Sequence, residues 1–256
     1  MSASLPFAAA MLAAALAATV AAPAAPAGTS ATPDTTFAAL PLDAKVEGRG
    51  YPELAEAWWR WAYRQRDGMR PTQDPTGAQC HVGQTGTVWF LAGTPGTGTA
   101  NRRCTVPEGR HLFLPVHVAL EYSVPGRRRD CATLRTAAGE VASRPLTYRV
   151  ELDGALLAPV RSASRDCFDA YADAGHDDVP PGLYAPASTD GLWLLLPPLS
   201  KGTHRLVVEA RQTAAGAARS RFDQQFTYTL DVGGKPVEAE GETPPPPEDD
   251  AEVITL

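Results

Sequence analysis

From Thr87 to Val232 the chain keeps returning to a hydrophobic period of two, which restricts it to a protein built on sheets. Leu112, Leu114, Val116, Val118 and Leu120 alternate with Phe113, Pro115, His117, Ala119 and Glu121. Leu146, Tyr148, Val150 and Leu152 alternate with Thr147, Arg149 and Glu151, and Asp153-Gly154 is a strong hairpin turn into 155–160. Further strands are predicted at 88–92, 192–196, 204–210 and 222–232, the last with Phe222, Phe226, Tyr228, Leu230 and Val232 on one face. Pro115 places its strand at an edge or on a bulge. The Gly- and Pro-rich 93–98 segment reads as a hairpin loop. Ahead of the strands, Leu54, Trp58, Trp61 and Ala62 recur at helical spacing through 52–66. Trp58 and Trp61 share the face that should be buried, while Trp59 points elsewhere as the candidate exposed ring. Asp130 is positioned to cap a short helix over 131–138. Short strands joined mostly by hairpins, with one packed helix, predict a mostly β protein: an Ig-like or jelly-roll β-sandwich with one N-terminal helix and disordered ends.

The ends have compositions that cannot build a core. Residues 1–27 combine an Ala- and Leu-rich apolar run with small residues and prolines, as in a cleaved signal peptide, although no Lys or Arg precedes Lys45. Residues 28–50 read as a linker, 51–233 as the β-sandwich domain, and 234–256 as a disordered acidic tail containing Pro244 to Pro247. The formal charge of −6 sits in that tail, where seven acidic residues face one lysine. Everything before Lys235 therefore sums to zero, which offers no footprint for nucleic acid. Arg102-Arg103 and the arginines at 127–129 read as solvated loop residues.

Export makes disulfides the expected state of Cys80, Cys104, Cys131 and Cys167. Three pairings are open. Cys80 with Cys104 and Cys131 with Cys167 are expected, since each pair is consecutive and brackets hairpin-like or looped sequence. Each closure would stabilise the fold by roughly 3 kcal/mol.

Trp58-Trp59-x-Trp61, Asp74-x-Thr76-Gly77-x-x-Cys80, the run Val82-Gly83-Gln84-x-Gly86-x-Val88-Trp89-Phe90-Leu91-Ala92-Gly93-Thr94, and Cys104-Thr105-Val106-Pro107-x-Gly109 together resemble a family of uncharacterised secreted bacterial proteins. Asp190-Gly191-x-Trp193 through Pro198-Leu199, Gly202 and His204 is similar to a second motif of the same family. The resemblance implies export and a shared fold, and no activity. Val118 departs from it, standing where a polar residue is expected.

Recognisable catalytic signatures are missing: the chain contains no G-x-S-x-G, no H-E-x-x-H and no Walker-type lysine loop. No cofactor is implied. Cys80-His81 resembles a thiolate and base, but a disulfide would consume the sulfur. If 165–177 were helical, Asp169, Asp173 and His176 would fall near one face; the run matches no EF-hand, so it is read as a solvated acidic loop and no metal site is assigned. The expected binding surface lies between Asp74 and Thr94. There Asp74, Thr76, Gln84 and Trp89 sit among glycines that let backbone approach a ligand. The competing expectation is that Asp74 and Thr76 close a local turn while Gln84 satisfies buried backbone groups.

The expected function is an exported, non-enzymatic binding or interaction domain, secreted or periplasmic, with a glycan or envelope component as partner and no membrane span after cleavage. The alternatives are a carbohydrate-acting enzyme that pairs carboxylates such as Glu121 and Asp74, and a structural envelope or secretion accessory. Intact mass of exported material tests the leader: the mature chain should begin between about Ala22 and Ala31, and a membrane-bound chain still starting at Met1 would identify an anchor instead.

Overall fold

A computed structural model describes residues 38–174, 179–212 and 222–234. The leader, linker residues 28–37 and the acidic tail beyond Gly234 lie outside these residues, as does His176. The elements are α1 (Tyr51–Tyr63), β1 (Val88–Phe90), β2 (Thr97–Val106), β3 (His111–Tyr122), α2 (Cys131–Ala142), β4 (Leu146–Leu152), β5 (Ala155–Leu156), β6 (Val160–Ala163), β7 (Ala187–Leu196), β8 (Gly202–Gln212) and β9 (Phe222–Val232). They form two sheets, ordered β1-β3-β7-β6 and β2-β9-β8-β4-β5. The protein is thus mostly β and sandwich-like, with a packed N-terminal helix.

Alternation sorts side chains into two cores. Trp89, Leu91, Leu112, Leu114, Leu194 and Leu196 point between the sheets and meet Val208, Phe226, Tyr228 and Leu230. Their neighbours Val88, Phe90, Phe113, Trp193 and Leu195 point the other way, onto Leu54, Trp58 and Trp61 of α1. Trp58 and Trp61 are buried as their spacing predicts. Glu53, three residues past the cap, accepts a hydrogen bond from the Gly50 amide and starts α1. Asp130 caps α2 by accepting from the Thr133 amide. Asp153 and Gly154, both at positive φ, make the predicted hairpin turn from β4 to β5.

Connectivity differs from a hairpin succession. β1 runs parallel to β3, and β2 runs parallel to β9 over ten registered pairs, Thr97 with Asp223 through Val106 with Val232. The 93–98 segment is therefore no hairpin loop; it carries the chain from one sheet to the other. Residues 38–50, predicted as linker, pack onto the body: Leu40 N–H donates to the Leu195 carbonyl at 2.8 Å, and Val46 is buried. Both predicted disulfides are present, Cys80–Cys104 and Cys131–Cys167. Among the described residues no helix is long and apolar enough to cross a membrane.

Arg102 overturns its expected place in a solvated loop. It lies on β2, faces the core in register with Tyr228, and is 3% exposed. Its guanidinium donates to the carbonyls of Asp74 (2.6 Å), Ala92 (2.7 Å), Gly93 (3.1 Å) and Thr72 (3.3 Å), and to the Tyr228 hydroxyl (3.2 Å). Arg103, beside it, does face outward and pairs with Asp231. A buried cation is tolerable only when its donors are met, and here neutral carbonyl dipoles meet them. Arg102→Met should cost roughly 3–5 kcal/mol, because several buried carbonyls lose their donor. The midpoint shift in urea unfolding at unchanged slope measures this.

Candidate functional site

The site originates in a missing strand. β1 ends at Phe90, after pairing with β3 only as far as Phe113, so the following part of β3 has no strand neighbour on that side. There the β3–β7 register shifts between Pro115 and His117, a bulge that accommodates the proline. The C-terminal half of α1, the 93–96 crossover and the start of β9 surround this unpaired edge. They enclose a cleft of about 360 Å³, walled by Trp58, Trp59, Pro115, Val118, Leu120 and Phe222, with Thr94, Gln224, Gln73 and Arg70 at its polar positions.

Gln224 takes over part of the absent strand's role. Only 3% exposed, it donates its amide N–H to the Val116 carbonyl, and its oxygen accepts from the Thr94 amide (3.2 Å) and hydroxyl (3.1 Å). Glycine at position 93 eases this approach: a Cβ there would lie 3.2 Å from Gln224 Oε1 and 3.3 Å from Pro115 Cγ, a tight fit.

Trp59 is less open than predicted. Its indole N–H donates to Thr189 Oγ1 at 2.9 Å, and its ring stacks on Tyr63 at 5.5 Å between centroids. Tyr63 in turn stacks on Tyr171 at 4.4 Å, and the Arg70 guanidinium lies 4.8 Å from the Tyr63 ring. These rings therefore cover one another and do not form an open platform. Burial, with the nearby Tyr171 and Tyr122 hydroxyls, pushes the Tyr63 phenol well above its ordinary range. It stays protonated at neutral pH and cannot serve as a general base there.

None of the four residues expected to bind lines the cleft. Asp74 Oδ1 accepts from the Thr76 amide and hydroxyl, both at 2.8 Å, and Oδ2 accepts from the Gln79 amide at 2.7 Å. This turn holds the 75–77 backbone against β2, where Arg103 N–H donates to the Thr76 carbonyl and a Cβ on Gly77 would lie 2.4 Å from the Arg103 carbonyl. Gln84 donates to the Cys80 and Phe90 carbonyls and accepts from the Phe90 amide, acting as a substitute strand partner for β1. Trp89 is a core side chain, 9% exposed, with its indole N–H unpartnered. Thr94, at the end of the same motif, does reach the cleft.

Other candidate chemistry resolves into structural bonds. Glu121 pairs with Arg129 at 2.8 Å, lines a different cavity from the cleft, and is not joined there by Asp74. Asp169 accepts from the Tyr171 and Gly182 amides, Asp173 pairs with Arg64, and residues 165–174 form no helix. Among the described residues no cluster of three metal-ligating side chains occurs. Ser200, His204 and Asp153 have the spacing of a hydrolytic triad, with 3.4 Å from Ser200 Oγ to His204 Nε2 and 2.6 Å from Nδ1 to Asp153. However, Nε2 also faces the Ser200 carbonyl at 2.8 Å, and Asp153 binds the Arg205 amide, so the group fastens the β4–β5 turn to β8.

One signal for the cleft was available in the sequence: Gln224 occupies an inward position in the apolar register of β9. No family model matches the chain, and no curated protein is similar to it. Among solved structures, amebosin aligns over 52% of this chain and 95% of its own, at 11% identity and a TM-score of 0.21. The cysteine protease inhibitor EhICP2 from Entamoeba histolytica aligns over 54% of this chain and 99% of its own, at 12% identity and a TM-score of 0.20. Scores this low leave the site's own chemistry to carry the functional reading.

Burial pushes the Asp74 carboxyl up, but the Gln79, Thr76 and Gly77 amides and the Thr76 hydroxyl outweigh it and hold the group below its usual range. A depressed folded pKa contributes stability above the unfolded value of about 4, and this contribution disappears as pH falls through the folded value. Asp74→Ala and Gln84→Ala should each cost roughly 1–3 kcal/mol at pH 7. In urea unfolding, only the Asp74→Ala deficit should shrink on acidification below about pH 4.

Proposed function

We propose that this chain is an exported, non-enzymatic binding module that takes the apolar part of a small ligand into the cleft between α1, β3 and the start of β9. The observation that carries this is the employment of the cleft's polar groups. Both functional ends of Gln224 are bonded within the protein, and Gln73 is held by the Gly68 amide and by Asp67. Arg70 pairs with Asp67 at 3.2 Å while covering Tyr63. What remains for a ligand is shape and apolar surface, which suits an alkyl or aryl group better than a sugar, whose hydroxyls need partners of their own. The two disulfides support an oxidising compartment, as the leader-like sequence and the family resemblance imply. An envelope component with an apolar portion fits this cleft. The enzyme alternative lacks its paired carboxylates, since Asp74 and Glu121 are committed elsewhere.

Fluorescence titration with the neutral apolar dye N-phenyl-1-naphthylamine provides the test. The full chain should bind it saturably at one site. Phe222→Ala, which removes one wall, should weaken binding about fivefold or more through lost apolar contact. Absence of saturable binding, or indifference to this substitution in folded protein, would reject the proposal.

A further inference from the structure

A second cavity of about 330 Å³ adjoins the cleft: Val118, Leu120 and Phe222 line both, and the second lies along β3 toward the end of α2, with His117, Glu121, Arg144 and Gln212 added to its lining. Its charges do not cancel. The Glu121 carboxylate is engaged by Arg129 at 2.8 Å, and Arg129 also donates to the Tyr122 carbonyl. His117, 2% exposed, lies with its ring 4.5 Å from that of Phe222. Burial lowers its pKa against the opposing bond from Gln212, and the charge of Arg144 lowers it further, so the ring is neutral at pH 7. Arg144 remains. Among the described residues its guanidinium has no carboxylate and no carbonyl partner, and only its backbone N–H is bonded, to Val141. A half-buried, unpaired arginine at the polar end of an apolar cleft is complementary to an anion.

We propose that the ligand is an amphipathic carboxylate, its alkyl or aryl body lying in the Trp58, Val118 and Phe222 cleft and its carboxylate on Arg144. This deepens the apolar-ligand reading and rests on it. One planar guanidinium matches the fork of a single carboxylate, the Gln212 amide being spent on the Val141 carbonyl; a phosphate dianion would leave charge uncompensated. A peptide would bring backbone amides into a cleft whose polar groups are already bonded.

Competition against the bound neutral dye separates the two levels. Decanoate and decanol share the same chain and differ only in head group. At fixed ionic strength the full chain should release the dye at about tenfold lower decanoate than decanol, the scale of one charge-assisted contact. In Arg144→Gln this ratio should collapse to about one, and in Arg144→Lys part of it should return because charge is kept while the fork is lost. Equal potency in the unmodified chain, or a preference that survives Arg144→Gln, overturns the carboxylate assignment and leaves the apolar cleft standing. Should neither the dye nor decanol bind, the cleft reading itself fails. Displacement by hexaglutamate at lower concentration than decanoate makes the partner an acidic peptide and overturns the proposal. The ratio in the unmodified chain decides the matter even if an Arg144 variant fails to fold.

Discussion

Two buried polar side chains, Arg102 and Gln224, bond backbone groups that a longer β1 would otherwise have paired. Arg102 binds the carbonyls where the chain leaves β1, at Ala92 and Gly93, and ties them to the 72–74 loop. Gln224 bonds the Val116 carbonyl on the unpaired flank of β3 and the Thr94 amide opposite. Buried peptide groups demand partners, so a sheet can stop short of closing only where side chains supply them. The cleft exists because these two residues make an incomplete sheet affordable.

The motif that resembles secreted bacterial proteins takes on a specific meaning in this light. Asp74, Thr76 and Gly77 shape the loop that covers β2, Gln84 pairs with the short β1, and the Cys80–Cys104 bridge binds the same loop to the same strand. These residues build the scaffold around the cleft, and their polarity serves backbone groups. Residues in contact with a ligand would come from elsewhere: α1, the second half of β3 and the first residues of β9.

Several features were legible before any coordinates. α1, α2 with its Asp130 cap, the Asp153-Gly154 turn and the alternation of β4 and β9 follow from local rules of period, capping and turn chemistry, whereas β3 keeps its single apolar face only as far as the bulge, beyond which Val118 and Leu120 leave the face of Leu112 and Leu114. β2 was missed. Its outward positions are Thr97, Thr99, Asn101, Arg103 and Thr105, and its inward set of Ala100, Arg102, Cys104 and Val106 contains an arginine, so the apolar signal is weak. Its partner is also parallel and more than a hundred residues distant, and no turn between them announces the pairing.

By itself, therefore, the sequence determined the class of fold and the neutral charge of the body, because these depend on composition and on neighbours a few residues apart, whereas the choice among three cysteine pairings was made by the fold. The tertiary structure decided which polar residues face inward to hold backbone, which strand lacks a neighbour, and hence where a cleft opens. Asp74, Thr76, Gln84 and Trp89 lie outside the candidate cleft, whose lining includes Trp59, Val118, Phe222 and Gln224. A side chain's chemistry is written in its residue type, whereas the donors and acceptors left free for a ligand depend on partners that only the folded chain brings within bonding distance.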